Sequence, residues 1–144
     1  MYIGIPLYDN WGYDEDAHVT ITFNGHGESK ADYLGAVCAL ANTCRWWHNN
    51  GGGLVDLRYG ETGCFGGNCW HATVKSKKLH RFRQHLVQEL DNFGVYHSED
   101  FDYTPHVTLN YGAEPVDNPY EGGVDLVRAF AVESRAFGRT TIRV

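Results

Sequence analysis

The chain is short of cations, cysteines and long apolar stretches, and each shortage argues against a class of protein. Its 144 residues carry 12 Lys and Arg against 18 Asp and Glu, a formal charge of −6. Binding that tracks long nucleic acid scales with the number of phosphates neutralised, so this balance argues against that mode and leaves small or end-group nucleotides open. Four cysteines are too sparse for a disulfide scaffold. The longest uncharged run of the first half, Tyr33 to Cys44, falls well short of the roughly 18 apolar residues that span a bilayer, so no membrane segment is expected. Met1 to Tyr8 lacks the basic stretch and the long apolar run of a signal peptide, which points to a cytoplasmic protein. Nothing divides the chain into parts, and one domain over residues 1–144 is expected, large enough to bury a core without metal or disulfide.

Rings, by contrast, are abundant. Aromatic residues make up 14% of the chain, more than a core of this size needs, and some are candidates to line a site. Tyr2 to Ile5 is a short apolar strand stopped by Pro6, and Asp9 to Asp16 reads as an acidic, aromatic loop. Ala17 to Phe23 alternates, with His18, Thr20 and Thr22 on one face and Val19, Ile21 and Phe23 on the other. From Lys30 the spacing of Tyr33, Val37, Leu40, Ala41, Cys44 and Trp47 predicts an amphipathic helix that Ser29 or Asp32 can cap. Leu54 to Tyr59 and Asn68 to Lys75 read as strands around a Gly-rich turn from Glu61 to Gly67. A second helix follows Ser76 and ends at Gly94, and Pro105 to Asn110, Leu126 to Ser134 and Thr140 to Val144 complete the strands. Helices set among hairpins give an α+β class with antiparallel sheets.

One pattern carries chemistry. His18-Val19-Thr20-Ile21 recurs as His106-Val107-Thr108-Leu109, 88 residues later. On a strand, residues i and i+2 share a face, so each copy presents an imidazole beside a hydroxyl while the apolar residues anchor the strand. Two such strands facing one another suit phosphodiester cleavage. One imidazole takes a proton from the nucleophile, the other gives one to the leaving oxygen, and the hydroxyls donate to the non-bridging oxygens. Imidazole titrates near neutrality, so both forms are accessible, and neither a metal nor a cofactor is called for. A His-x-Thr arises by chance roughly half a time in such a composition, and this chain has three, the third being His71-Ala72-Thr73.

These residues resemble the signatures of the 2H phosphoesterase superfamily, which includes the LigT-like RNA ligases and cyclic phosphodiesterases. Thr104-Pro105-His106-Val107-Thr108-Leu109 is similar to its second motif, Tyr2 to Leu7 to its opening strand, and Cys69-Trp70 through Leu90 to its strand and helix before motif two. The resemblance covers most of the chain and implies a bilobal, pseudo-symmetric fold: two antiparallel sheets around a central cleft, helices outside. It implies that His18 and His106 are the acid/base pair and that Thr20 and Thr108 hold the phosphate. Members usually carry a helix between the opening strand and motif one, where this chain has only Leu7 to Ala17. Two chemistries fit: water opening a 2′,3′-cyclic phosphate at an RNA end, or a ribose hydroxyl attacking its neighbouring diester, as at a 2′-5′ linkage. The compact size resembles phage-encoded members that degrade cyclic nucleotide immune signals. A non-catalytic nucleotide- or RNA-end-binding module is the alternative, although such a binder is expected to have lost a His or Thr.

Other features have blander readings beside functional ones. His71 and Thr73 with Lys75 read as the polar face of a strand, substrate contact being the alternative. Cys64, Cys69 and His71 could offer three ligands to a zinc ion, but no metal site is expected. Lys75, Lys77, Lys78, Arg81 and Arg83 form either the solvated face of the second helix or an attraction for an anionic nucleotide. Tyr8, Trp11 and Tyr13 before motif one, and Tyr111 after motif two, are candidates to stack on a substrate base, with burial in the core as the alternative. The expected partner is a small nucleotide or short oligonucleotide.

Overall fold

The computed structural model describes residues 1–7, 16–98 and 102–143. Tyr8, Trp11 and Tyr13 lie outside the described residues. The elements run β1 (Tyr2–Pro6), β2 (His18–Phe23), α1 (Lys30–Asn49), β3 (Asp56–Phe65), β4 (Cys69–Lys75), α2 (Lys77–Asn92), β5 (His106–Tyr111), β6 (Val124–Leu126), β7 (Ala129–Ser134) and β8 (Gly138–Arg143). The class is α+β, as expected.

All strand pairs are antiparallel, in the order β6-β3-β4-β5-β2-β1-β7-β8. Two sheets were expected, whereas the ladder is continuous. Its two four-stranded halves meet at β2 and β5 through a single residue pair, Val19 opposite Val107. Both are essentially fully buried, so the halves are joined at their core face and spread apart on either side.

The helices cover the face that Val19 and Val107 point to. Ser29 caps α1 with a capping box to Asp32, and Ser76 caps α2 by accepting from the Leu79 N–H. Gly94, at φ +67°, ends α2 in the left-handed conformation a glycine adopts freely. Leu79, Phe82, Leu86 and Leu90 bury the apolar side of α2, and Phe82 stacks flat on Phe130 of β7 at 4.2 Å. In α1 the buried stripe is Tyr33, Ala36, Leu40, Thr43 and Trp47, with Ala39 beside it. Val37 and Cys44 are only half-buried. Tyr33, Leu40 and Trp47 of the predicted stripe are buried, and the small Ala36, Ala39 and Thr43, which it left out, are buried with them. Thr43 is tolerated there because its hydroxyl donates to Ala39 O at 2.8 Å.

Three departures from the predicted strands share one cause, the β-bulge. Successive residues Ile3 and Gly4 of β1 pair with Thr22 and Thr20, so Ile21 is an extra residue in β2. The expected alternation therefore fails after Thr20. Thr22 turns into the core at 2% exposure, its hydroxyl donating to Asn24 Oδ1, and Phe23 turns to the open face. Trp70 and His71 of β4 pair with Asn110 and Thr108, which makes Leu109 the extra residue in β5. A third shift lies between Tyr59 and Thr62 in β3.

The predicted Gly-rich turn from Glu61 to Gly67 is mostly strand. Only Gly66 and Gly67, at φ +59° and +77°, turn the chain. Gly60 and Gly63 instead make room for neighbours. A Cβ at Gly63 would sit 2.6 Å from His71 Nε2, and one at Gly60 would sit 2.5 Å from Thr73 Oγ1. The predicted strand Leu126 to Ser134 is two strands, β6 and β7, in different halves of the sheet.

Candidate active site

Antiparallel pairing of Val19 with Val107 fixes the positions of their neighbours. His18 lies opposite Thr108, and Thr20 lies opposite His106. The two His-x-Thr units are thus related by a local two-fold axis through the joint between the halves, on the face away from the helices. The two histidines occupy one diagonal of this arrangement and the two threonines the other. His18, Thr20, His106 and Thr108 are each half-buried, anchored from below and open above.

Both imidazoles are oriented by the same device. His18 Nδ1 lies 2.8 Å from Asp16 O, and His106 Nδ1 lies 2.9 Å from Thr104 O. A carbonyl oxygen can only accept, so in the neutral ring the proton sits on Nδ1 and Nε2 carries the lone pair. His71 repeats the contact, with Nδ1 3.2 Å from Cys69 O.

The surroundings of the two rings differ. His18 stacks on Tyr2 of β1, centroids 4.5 Å apart. His106 meets two rings edge-on: Phe65 of β3 at 4.9 Å and His71 of β4 at 5.1 Å. Phe65 also stacks flat on His71 at 3.9 Å. Burial holds the His106 imidazole below its ordinary value, the hydrogen bond to Thr104 O opposes the shift, and the nearby His71 and His18 add to it. The site thus disfavours the imidazolium form of His106.

His71 is not on a solvated polar face, as the sequence suggested, but is 3% exposed under Phe65. Thr73, opposite His106 in the ladder, donates to Glu61 O at 3.0 Å. The third His-x-Thr copy thus borders the second one instead of facing solvent. Cys64 lies on the opposite strand face from Cys69 and His71, since Cys64 pairs with Trp70 while Phe65 pairs with Cys69. Among the described residues no group of three His, Cys, Asp or Glu side chains is placed to hold a metal ion.

The splayed part of the joint is closed by side chains. Past Val19 the ladder to β5 stops, and the Tyr103 hydroxyl donates to Thr20 O at 2.6 Å while Arg83 Nε donates to Ile21 O at 3.0 Å. The Arg83 guanidinium also lies 4.6 Å from the centre of the Tyr103 ring. Together they line a cavity of about 200 Å³ that reaches Thr20 and His106. Three members of the basic segment are thereby occupied within the fold, since Lys78 donates to Leu54 O and Arg81 lies over Trp47. Sequence reading missed the partners Tyr2, Phe65, Tyr103 and Arg83, because each reaches the site from a different strand, loop or helix and carries no motif.

Tyr111 is 72% exposed at the end of β5. It is not a core residue. Among the described residues no helix is long and apolar enough to cross a membrane.

The profile of the 2′-5′ RNA ligase superfamily matches residues 6–125. No curated protein matches the sequence at a significant level. Among solved structures, the chain is similar to TT0787 of Thermus thermophilus (TM-score 0.62, 15% identity, covering 99% of this chain and 93% of that one). It is similar also to the MHV ns2 PDE domain (TM-score 0.61, 16% identity, covering 88% and 95%). A third neighbour is Escherichia coli LigT (TM-score 0.59, 16% identity, covering 99% and 92%), a protein also crystallised with NADP+ and with 3′-AMP. At these identities the structural likeness speaks to the fold, while the profile spans most of the chain and both His-Val-Thr units. The chain belongs to the 2′-5′ RNA ligase superfamily, that is, to the 2H phosphoesterases.

Proposed function

We propose that this protein is a phosphodiesterase that cleaves a cyclic phosphate, or a short or cyclic oligonucleotide, by acid/base catalysis with two histidines. The observation that carries the reading is the register at Val19 and Val107, which sets each histidine opposite the other unit's threonine, with the Nδ1 of each ring turned to a backbone carbonyl. In the forward reaction His106 Nε2 takes the proton from the attacking oxygen, whether of water or of an adjacent ribose hydroxyl. The oxygen attacks phosphorus, and His18, protonated, gives its Nε2 proton to the departing alkoxide. Thr20 and Thr108 donate hydrogen bonds to the two non-bridging oxygens, whose negative charge grows in the transition state. His106 suits the base role because its site disfavours the imidazolium. The crystallisation of Escherichia coli LigT with NADP+ and with 3′-AMP, and the acidic charge of this chain, support a small nucleotide substrate over a long polyanion. Tyr111, exposed beside Thr108, is proposed to stack on a base.

The test is turnover of a substrate panel comprising 2′,3′-cyclic mononucleotides, 2′-5′ and 3′-5′ oligoadenylates, and cyclic di- and trinucleotides, each with and without excess EDTA. The reading predicts cleavage of at least one diester at a rate EDTA does not change. Binding without conversion across the panel would favour a nucleotide-binding module, and loss of turnover in EDTA would remove the metal-free mechanism.

A further inference from the structure

Tyr2 reaches a place in the site that strand pairing alone does not give it. In the ladder of β1 with β2, Tyr2 lies opposite Phe23, Gly4 opposite Thr20 and Pro6 opposite His18. The residue beside His18 is therefore Pro6, yet the ring stacked on the imidazole is that of Tyr2, with centroids 4.5 Å apart and planes 19° from parallel. The phenol ring gets there by lying along β1 over Gly4, where a Cβ would stand 3.2 Å from Tyr2 Cε2 and 3.3 Å from Cδ2. The same Cβ would meet Val19 O at 2.8 Å, so this one glycine admits both the ring and the close approach of β2.

The stack supplies what the hydrogen bond at Nδ1 leaves open. The bond from His18 Nδ1 to Asp16 O lies in the plane of the imidazole and fixes one atom, so the ring can still tilt about that line. A second ring laid flat on its face removes the tilt and so directs Nε2. The face of a phenol attracts a cation as well as a neutral ring, so the stack persists when the imidazole carries its second proton. Tyr2 is itself held uncharged: burial first, then the Glu133 carboxylate, push its phenol up to about 12, with Asp16 adding to the shift and Arg139 opposing it. The other half of the site is built differently. Among the described residues, the rings beside His106 stand at 77° and 62° to it, and neither lies flat on its face.

We infer that Tyr2 is the positioning residue of the acid, holding the His18 imidazole by its face so that Nε2 meets the departing oxygen. This rests on the phosphodiesterase reading and deepens it, because it ties one side chain to one proton transfer. The bond from phosphorus to the leaving oxygen breaks as the proton on His18 Nε2 moves to that oxygen, while His106 Nε2 receives the proton of the attacking oxygen. Tyr2 touches none of the reacting atoms and acts only through His18. A leaving group that departs as a stable anion needs no proton, so its departure should not feel the loss of Tyr2.

The experiment measures kcat and KM for the best-cleaved diester of the panel, whose leaving group is a ribose alkoxide, and for a ribonucleoside 3′-(4-nitrophenyl) phosphate, whose leaving group is a stable phenolate. The proteins are wild type, Tyr2→Leu, Tyr2→Phe, His18→Ala and the double variant of His18→Ala with Tyr2→Leu. On the alkoxide diester Tyr2→Leu is expected to lower kcat by about 10- to 100-fold, the scale of a reacting group misplaced by ~1 Å, with KM within about twofold. In the His18→Ala background it should cost nothing more, because the group it positions is gone. The nitrophenyl ester should be cleaved by Tyr2→Leu at the wild-type rate, and Tyr2→Phe, which keeps the ring, should restore turnover of the alkoxide diester. Wild-type kcat in folded Tyr2→Leu, an equal further loss in the His18→Ala background, or a Tyr2→Phe variant as slow as Tyr2→Leu would overturn the inference and leave the phosphodiesterase reading standing. Should Tyr2→Leu not fold, the wild-type proton spectrum decides: the His18 ring protons, assigned by their absence in His18→Ala, are expected upfield of the free-imidazole position, and unshifted protons would overturn the inference. If the wild-type protein cleaves none of the diesters, the phosphodiesterase reading itself fails.

Discussion

His71 lies edge-on to His106, their ring centroids 5.1 Å apart on neighbouring strands β4 and β5. Among the described residues, His18 has Tyr2 stacked on it in the corresponding place, so the two halves of the site are unequal there. Burial and two neighbouring imidazoles disfavour a positive charge at His106, so the base form should survive into mildly acidic solution. The acidic limb of kcat/KM is expected below ~6.5, the ordinary imidazole value. His71→Asn, which removes a neighbouring imidazole, should move that limb to higher pH, as a pH–rate profile would read. The stability consequence has the same sign. As pH falls, the unfolded chain binds the His106 proton before the folded one does. The native state thus holds its advantage above the ordinary imidazole value and loses it as pH drops through the lowered one.

Gly63 has no side chain because His71 occupies that space. Gly63→Ala would place Cβ 2.6 Å from His71 Nε2, and the ring, held between Phe65 and the strand, has little room to yield. A loss of ~1–3 kcal/mol in stability is expected, as for other overpacked sites, together with reduced activity as the contact to His106 is disturbed. Gly27→Ala, where nothing lies within 4 Å, is the neutral control in the same thermal melts.

Tyr103 and Arg83 hold β2 where the ladder has ended. Removing either should loosen Thr20 more than it unfolds the protein. Tyr103→Phe deletes the hydrogen bond to Thr20 O and should cost ~1 kcal/mol, the usual net worth of such a bond. The expected signature is a fall in kcat larger than any rise in KM, since the hydroxyl that steadies the transition state is mispositioned while the binding surface is kept. Arg83→Met, which keeps the stem and loses the donor to Ile21 O, should behave alike.

The threonines are predicted to act through their hydroxyls. Thr20→Val and Thr108→Val preserve shape and β propensity, so the fold should be retained. A hydrogen bond to a charged group is worth ~1.5–3 kcal/mol, and each substitution should lower kcat/KM by about 10- to 150-fold. A loss below about threefold in both would show that the phosphate is held elsewhere.

Much of this was legible in the sequence, and the illegible part has a physical reason. The repeated His-Val-Thr could be read directly because a strand's two-residue period puts the imidazole and the hydroxyl together whatever the tertiary context. Both helices were legible through their apolar spacing, and α1 also through its serine cap. Phe23 was assigned to the wrong face because a bulge leaves no local mark: Ile21 looks like any other strand residue, and only its pairing with β1 reveals the extra position. Glycines mislead in the opposite direction, since Gly63 reads as a turn former when it makes space for His71 on the next strand. The role of His71 could not be read at all, because its neighbours Phe65 and His106 come from other strands.

The central claim is that the two diagonal histidines do the chemistry, and kcat for the best diester of the panel in His18→Ala, His106→Ala and the wild-type protein tests it most directly. With melting temperatures close to wild type, each substitution should lower kcat by about 10²- to 10⁴-fold, the range for loss of a general acid or base. Turnover near the wild-type rate in either folded variant would contradict the account.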